Sequence, residues 1–334
     1  LILSVKITKK IYLKGADKSE GIYASMITQN MEYGFFNCDS FNSLFIVENG
    51  GEISVQGLSL VGYPSLYPGG SLWEKCYSNG NLLSAPICCC GIDVKKGGKI
   101  GEIHDSSFVA FTYGIRSIGG TIGYIRNSYF SINRYGFWAK DTNDFEIRGC
   151  RLNSNELNFH FYERNLYYVG EKENWVPLKE TDGDQIAKIG GGLYLNNCKN
   201  VSVTNCRFEF NFIQVVIDEA VENVTIHNCI MDTGTLCHIA INNQGASGSS
   251  TTRAINNLTF SACTLARGAR CDIQNKPSVP GFGIFYFCDI GDRGALINFK
   301  NIIVSDDMEV DKTINVSYED VVFDIYNKSS TNGT

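Results

Sequence analysis

Five carboxylates in the middle of the chain are candidates for acid–base chemistry. Glu163 and Glu219 share one position of successive repeats, directly after a segment in which apolar and polar residues alternate, and Asp218 lies beside them. Glu209 and Asp232 also share one position of successive repeats. Glycoside hydrolysis needs two carboxyl groups about 5–9 Å apart, one as the acid and one as the nucleophile or base. We expect Asp218 to form this pair with Glu163 or Glu219, with Glu209 and Asp232 as the reserve.

A second set of residues suits a different reaction. β-Elimination of a uronic acid needs a base that removes the C5 proton and a cation that neutralises the carboxylate. His160 or Tyr162 could be that base, and Lys140 with Arg116 could supply the positive charge. The sequence therefore allows a polysaccharide lyase beside the glycoside hydrolase.

Both reactions require a fold that brings distant segments together, and a repeat indicates such a fold. VSVTNCRFEF (201–210) is followed by VTIHNCIMDT (224–233), and related segments recur every 22 to 25 residues where no insertion intervenes. A fixed period of this size with short strands is typical of a solenoid. The central position of the repeat holds a small residue: Ser106, Ser128, Cys150, Cys206, Cys229, Cys263 and Cys288.

The repeat predicts an all-β fold, a right-handed single-stranded parallel β-helix of about 22–25 residues per coil. Helical repeats of this length would show a period of about 3.6 residues, which is absent. Each coil of a β-helix lies about 4.8 Å above the previous one, so the cysteines should form an inward column of free thiols. The preceding Asn127, Asn205 and Asn228 suit a left-handed bend between two strands.

The same register predicts one outer face with side chains suited to binding. Its outward residues are Asp93, Lys95, Arg116, Trp138, Lys140, His160, Tyr162 and Asp218. Insertions at 62–90 and 164–190 are rich in aromatic residues, and we expect them to rise on opposite edges of this face. The result is a trough that binds sugar rings. Its expected binding residues are Arg116, Trp138, Lys140, His160, Tyr162 and Trp175.

The composition excludes several classes of function. The net charge is −6 and no basic stripe is present, so we expect no nucleic-acid partner. No apolar run is long enough for membrane insertion. Thirteen cysteines without the spacing of zinc sites indicate buried free thiols and folding in a reducing cytoplasm. We expect no metal and no cofactor.

Two amino-terminal segments resemble a known superfamily. IYLKGADKSEGIYAS (11–25) and SLFIVENGGEISVQGLSLVG (43–62) have the order of strand, glycine turn and strand with which pectate-lyase-like β-helix proteins begin. The resemblance implies the fold but no single activity, since the superfamily includes lyases, hydrolases, epimerases and phage tailspikes. The calcium-binding aspartate cluster of pectate lyases and the motifs of polygalacturonases are absent, so those two activities are not expected.

With the inward column and the trough, the chain resembles the β-helical body of a bacteriophage tailspike. That resemblance implies a depolymerase that binds and cleaves a bacterial surface polysaccharide, a capsule or an O-antigen, with hydrolysis preferred to elimination. It also implies a parallel homotrimer in the virion tail. We expect residues 1–334 to form a single domain of a longer chain. The alternative is a receptor-binding fibre that binds the glycan without cleaving it.

Overall fold

The computed structural model describes residues 4–15, 25–28, 43–62, 90–155, 191–211, 213–234, 237–242, 255–268, 285–287, 295–300, 302–305, 315–318 and 321–325. Within these ranges there are 27 β-strands and no helix. A long apolar helix of the kind that crosses a membrane is accordingly not found in these ranges.

The strands are numbered in chain order. The first nine are β1 (Val5–Ile7), β2 (Lys10–Lys14), β3 (Met26–Thr28), β4 (Phe45–Val47), β5 (Glu52–Gln56), β6 (Ser59–Val61), β7 (Cys90–Val94), β8 (Lys99–His104) and β9 (Ser107–Val109). The next nine are β10 (Tyr113–Ile118), β11 (Thr121–Arg126), β12 (Tyr129–Ser131), β13 (Tyr135–Lys140), β14 (Phe145–Arg148), β15 (Arg151–Asn153), β16 (Gly191–Thr204), β17 (Arg207–Glu209) and β18 (Ile213–His227). The last nine are β19 (Ile230–Gly234), β20 (Cys237–Asn242), β21 (Ile255–Ser261), β22 (Thr264–Gly268), β23 (Phe285–Phe287), β24 (Ala295–Lys300), β25 (Ile302–Ser305), β26 (Asn315–Tyr318) and β27 (Val321–Ile325).

The strands stack in three parallel ladders, which the chain visits in turn. Ladder 1 contains β1, β4, β7, β10, β13, the first part of β16 and of β18, β20 and β23. Ladder 2 contains β2, β5, β8, β11, β14, the second part of β16 and of β18, β21 and β24. Ladder 3 contains β3, β6, β9, β12, β15, β17, β19, β22 and β25. The predicted all-β fold of stacked parallel strands is confirmed.

The bend between ladder 2 and ladder 3 has the predicted left-handed conformation. Asn127, Asn205 and Asn228 have φ angles of 48°, 54° and 51°. Asparagine tolerates this region better than most residues because its short polar side chain can hydrogen-bond locally. The Asn228 amide also donates to Oδ1 of Asn205 one coil away, at 2.7 Å. The asparagines therefore shape each bend and tie neighbouring bends together.

The cysteine column lies inside the solenoid, as predicted. Cys150, Cys206, Cys229 and Cys263 are free thiols with at most 2% of their surface exposed, whereas Cys288 lies outside the described residues. Cys206 Sγ donates to the backbone oxygen of Thr204 at 3.3 Å. A hydrogen bond with Cys206, together with burial, raises the pKa of Cys229 to about 12. Buried neutral thiols act here as small core side chains.

A second inward column, of asparagines, lies between ladder 3 and ladder 1 and was not predicted. Asn133, Asn155 and Asn211 are fully buried. The Asn133 amide donates to Oδ1 of Asn155 at 2.9 Å, and the Asn155 amide donates to Oδ1 of Asn211 at the same distance. Each side chain also satisfies backbone groups, so the column supplies partners to polar atoms that would otherwise be buried unpaired.

Glycines occupy the second position of four strands of ladder 1, because the coils approach closely there. The four positions are Gly91, Gly114, Gly136 and Gly192. A Cβ atom on Gly114 would lie 2.5 Å from the backbone oxygen of Gly136, and one on Gly136 would lie 2.8 Å from that of Gly192. In the next two coils the same column holds Gln214 and then His238.

The carboxy-terminal strands reverse direction. β26 pairs antiparallel with β25, and β27 pairs antiparallel with β24. β25 and β24 are the last parallel strands of ladders 3 and 2 among the described residues. The reversal supplies backbone partners to strand edges that could otherwise pair with another chain.

Substitution of Cys206 tests the inward column. Cys206→Phe should overpack the core and lower the free energy of unfolding by about 1–3 kcal/mol in chemical denaturation. Cys206→Ser is the matched control, because Ser106 holds this position in another coil and its Oγ donates to the His104 backbone oxygen in the same way. The serine variant should lose less stability than the phenylalanine variant. Equal stability of Cys206→Phe and the unmodified protein would contradict burial.

The pH dependence of folding stability tests the burial of His238, which lies in the glycine column. His238 is 1% exposed, and both ring nitrogens lack a hydrogen-bond partner. Burial lowers its pKa from 6.5 to about 4, and the nearby Asp232 offsets only part of that shift. The unfolded chain therefore binds a proton between pH 6.5 and pH 4 that the folded chain excludes. Folding stability contributed by the neutral ring is present above pH 6.5 and falls by about 3 kcal/mol as the pH drops through this window.

Denaturation at several pH values measures this loss. His238→Gln, which introduces the residue found at position 214 of the same column, should reduce the loss of stability in that window. His227→Gln, on the exposed outer side of β18, should keep the original pH dependence. Identical pH profiles for His238→Gln and the unmodified protein would show that the ring is not buried.

Candidate functional site

The outer face of ladder 1 carries the predicted trough residues in a corrected register. The alternation in the sequence predicts His160 and Tyr162 between Trp138 and Asp218 in this face. β13 instead pairs directly with β16, so Tyr194 lies beside Trp138 and Asn196 lies beside Lys140. The predicted order was wrong because segment 158–162 alternates in strand fashion, and alternation alone does not show which strand of the ladder follows β13.

Two predictions for the trough fall outside the described residues. They are the side chains of Glu163, His160, Tyr162 and Trp175, and the insertions 62–90 and 164–190 apart from Gly62 and Cys90.

An aromatic cluster forms the centre of the described face. The rings of Trp138 and Tyr194 are parallel within 5°, with centroids 5.0 Å apart. Tyr113 meets Trp138 edge-on at 5.8 Å, and Tyr135 meets Tyr194 edge-on at 5.5 Å. Trp138 is half-buried, whereas Tyr135 and Tyr194 are buried. The cluster holds the indole in one orientation at the surface.

Asp218 lies beside this cluster in a buried polar group. Tyr194 Oη donates to Asp218 Oδ2, and the Asn196 amide lies 3.4 Å from the same oxygen. Asp218 is 8% exposed, and Oδ1 of Asn196 is buried without a hydrogen-bond partner. Burial, followed by the negative charge of Asp218, raises the pKa of Tyr194 well above its usual range. Tyr194 is therefore a neutral donor, and its hydrogen bond stabilises the charged form of Asp218.

Glu219 follows Asp218 in an irregular part of β18. Asn196 pairs with Asp218 and Cys198 pairs with Val221, so Glu219 lies in a bulge opposite Asn197. Its φ is 60°, which is unusual for glutamate. The neighbour of Glu219 on the preceding coil is thus Asn197, where the sequence analysis expected Glu163. Bulges of this kind re-aim side chains and are frequent next to active sites.

Arg116 is held by an ion pair. Its guanidinium contacts both carboxylate oxygens of Asp93, at 2.7 and 3.1 Å, and lies 5.3 Å from the ring centroid of Tyr113. Asp93 is fully buried and also accepts from Lys95 Nζ at 2.7 Å. A bidentate contact with a buried carboxylate neutralises the arginine. Arg116 is therefore poorly suited to neutralise a substrate carboxylate, whereas Lys140 is half-buried beside Asn196.

The reserve carboxylates occupy ladder 3. Glu209 and Asp232 are in register on adjacent coils and are both buried. Glu209 is bound by Arg151, with 2.8 Å between Nε and Oε2, and by Arg207 through its other carboxylate oxygen. Two arginines engage both oxygens of the Glu209 carboxylate, so Glu209 is suited to a structural ion pair.

Tyr194 and Asn196 are the described site residues that the sequence analysis missed. The signal was present in the glycine column, because Cys-Gly-Ile-Asp, Tyr-Gly-Ile-Arg, Tyr-Gly-Phe-Trp and Gly-Gly-Leu-Tyr align at their glycines. This alignment places Asp93, Arg116, Trp138 and Tyr194 in one outward column, as the pairings do. The described residues contain no group of three or more His, Cys, Asp or Glu side chains that could hold a metal ion.

No protein-family model matches the chain, and neither a curated protein nor a solved structure is significantly similar to it. The assignment of function therefore rests on the geometry of the outer face of ladder 1.

Proposed function

We propose that the chain is a right-handed parallel β-helix that binds a polysaccharide on the outer face of ladder 1 and hydrolyses a glycosidic bond there. The observation that carries this proposal is the Tyr194–Asp218–Asn196 group beside the Trp138 ring. A right-handed path is the expected one, because about 98% of parallel strand connections within one sheet have that hand.

Binding would use the mixed surface around Trp138. Half-buried aromatic rings suit the apolar faces of sugars, and nearby polar groups suit their hydroxyls. Lys140 and Asn196 are adjacent on neighbouring coils and supply such groups. Oδ1 of Asn196, buried without a partner, would accept a hydrogen bond from a sugar hydroxyl that reaches it.

Cleavage would use Asp218 in its charged form. Donation by Tyr194 and Asn196 favours the carboxylate, which suits the nucleophile or general base of a glycosidase. The general acid would then be Glu163 or Glu219, and it would protonate the leaving oxygen. Low exposure of Asp218 also strengthens its interactions with charge that develops on the sugar.

The lyase alternative is less well supported by the described contacts, because Arg116 is already paired with Asp93. Glycan binding without cleavage is the stronger rival. Asp218 is almost fully buried and hydrogen-bonded, which a purely structural carboxylate would also be.

The wider proposal is a bacteriophage tailspike depolymerase that acts on a bacterial capsule or O-antigen, as a homotrimer in the virion tail. Its support is the resemblance of the repeat and of the amino-terminal segments. Buried free thiols at Cys150, Cys206, Cys229 and Cys263 favour folding in a reducing cytoplasm, as expected for a protein made inside a host cell.

Substitutions at Asp218 and Tyr194 test the cleavage. Candidate capsules and O-antigens are incubated with the protein while new reducing ends and the ultraviolet absorbance of unsaturated products are recorded. Asp218→Asn should lower turnover by about 10² or more with little change in glycan binding. Tyr194→Phe should lower turnover less, because it removes one donor to the carboxylate and keeps the ring stack. Glu222→Gln, at a partly exposed acid on the same strand that pairs with Lys199, is the control and should leave turnover unchanged.

Each other outcome contradicts a different part of the proposal. Absorbance that rises with the reducing ends would indicate elimination. A glycan that the protein binds but never cleaves would establish the receptor-binding alternative. Unchanged turnover in Asp218→Asn would move the catalytic site elsewhere on the molecule.

A further inference from the structure

The outer face of ladder 2 carries a column of cationic and neutral polar residues. Register pairs connect its members from the first coil to the last: Lys14, Gln56, His104, Arg126, Arg148, Thr204, His227, Ser261 and Lys300. None of these described positions is a carboxylate, although the chain as a whole has a net charge of −6.

Two arginines at the middle of this column are adjacent and unpaired. Arg126 and Arg148 are register partners on neighbouring coils, and both are exposed. Like charges directly opposite each other destabilise a sheet. By contrast, two lysines of ladder 2, Lys10 and Lys99, form ion pairs with Glu52. Among the described residues, no carboxylate lies within ion-pair distance of either arginine. The fold therefore keeps an unfavourable arrangement that an anion would relieve.

The arginines line a surface groove of about 490 Å³, whose walls are Tyr124, Ile125, Arg126, Asn127, Glu146 and Arg148. Tyr124 is 38% exposed, its hydroxyl donates to Glu102, and the Arg126 guanidinium lies 5.1 Å from its ring centroid. The groove combines two cations, an aromatic ring, an amide and one carboxylate. A simple inorganic anion would need only the two cations, so the aromatic ring, the amide and the carboxylate indicate a larger ligand.

We propose that this groove binds an acidic saccharide, with its carboxylate bound by Arg126 and Arg148. Arginine suits this role because its planar guanidinium bonds carboxylates in a bidentate manner. Tyr124 offers apolar surface to the sugar ring, and Glu146 and Asn127 address hydroxyls. The two glutamates, Glu102 and Glu146, disfavour a dense polyanion such as a nucleic acid, since each would repel its phosphates. A sugar with one carboxylate and free hydroxyls suits the groove, because its carboxylate can bind the arginines and a hydroxyl can donate to Glu146.

This site lies on a different ladder from Asp218, and its proposed role in binding does not depend on the proposed hydrolysis. In a chain that also cleaves a glycan, it would hold a neighbouring part of the same polymer. Because the two sites lie at a fixed spacing, binding of the polymer at one would raise its effective concentration at the other.

A calorimetric titration tests the proposal with two matched probes. One is cellobiouronate, a disaccharide with a single carboxylate, and the other is cellobiose, the neutral disaccharide of the same linkage. The protein should bind cellobiouronate at least about tenfold more tightly than cellobiose, as expected for charge-assisted hydrogen bonds. The double variant Arg126→Gln with Arg148→Gln should lose about tenfold or more of that affinity. The control double variant Lys6→Gln with Lys199→Gln removes the same charge from exposed lysines that pair with Glu48 and Glu222. It should bind as the unmodified protein does.

Several results would overturn the proposal. They are equal binding of both probes, no binding of the acidic probe, or equal losses in the arginine and lysine double variants. Circular dichroism establishes that the variants are folded. Sedimentation supplies a further check: if the arginine variant changes the number of chains per particle, the column is an interface between copies and the saccharide site is rejected. Because the assay follows binding alone, its failure would leave the Asp218 hydrolase proposal standing, and the reverse is also true.

Discussion

In-register stacking of parallel strands is the constraint on which the rest of this structure depends. Successive coils lie about 4.8 Å apart, so each side chain must pack against its own counterpart in the next coil. The interior columns satisfy this demand in different ways. Cysteine and serine are small, asparagine pairs with itself, and glycine gives room where backbones approach. Each of these columns repeats a residue type that can pack against an identical residue in the next coil.

The functional candidates occur where this repetition is interrupted. Trp138 and Tyr194 are neighbours in space although an insertion separates them in sequence. Asp218 comes directly before a bulge, which gives the residue that follows it a left-handed backbone. On the other face, Arg126 and Arg148 break the rule by repeating a charge. Local strain of this kind costs stability and clusters at active sites and ligand-binding sites, which is why we propose these positions for binding.

The sequence predicted the features that repeat. The cysteine column and the left-handed asparagines follow from spacing and residue type, and the structure places both as expected. The inward Asn133, Asn155 and Asn211 were missed because asparagine is typical of exposed turns, and burial depends on contacts between coils. Tyr194 was missed because alternation in 158–162 matched a strand equally well. The glycine column would have set the register correctly, since its steric requirement is specific to one place in each coil.

The pairing of β14 with β16 tests this account most directly, because it fixes which residues surround Asp218. Glu146 and Ser202 are register partners, and Thr225 lies one coil further. Cysteines at 146 and 202 would therefore be about 4.8 Å apart at Cα, within the range of a disulfide, whereas those at 146 and 225 would be about twice as far apart. Oxidation followed by peptide mapping should show a bridge in Glu146→Cys with Ser202→Cys and none in Glu146→Cys with Thr225→Cys. If part of 156–190 formed an additional coil in the ladder, 146 and 202 would be two coils apart. Absence of the first bridge would then contradict the adjacency of Trp138 and Tyr194.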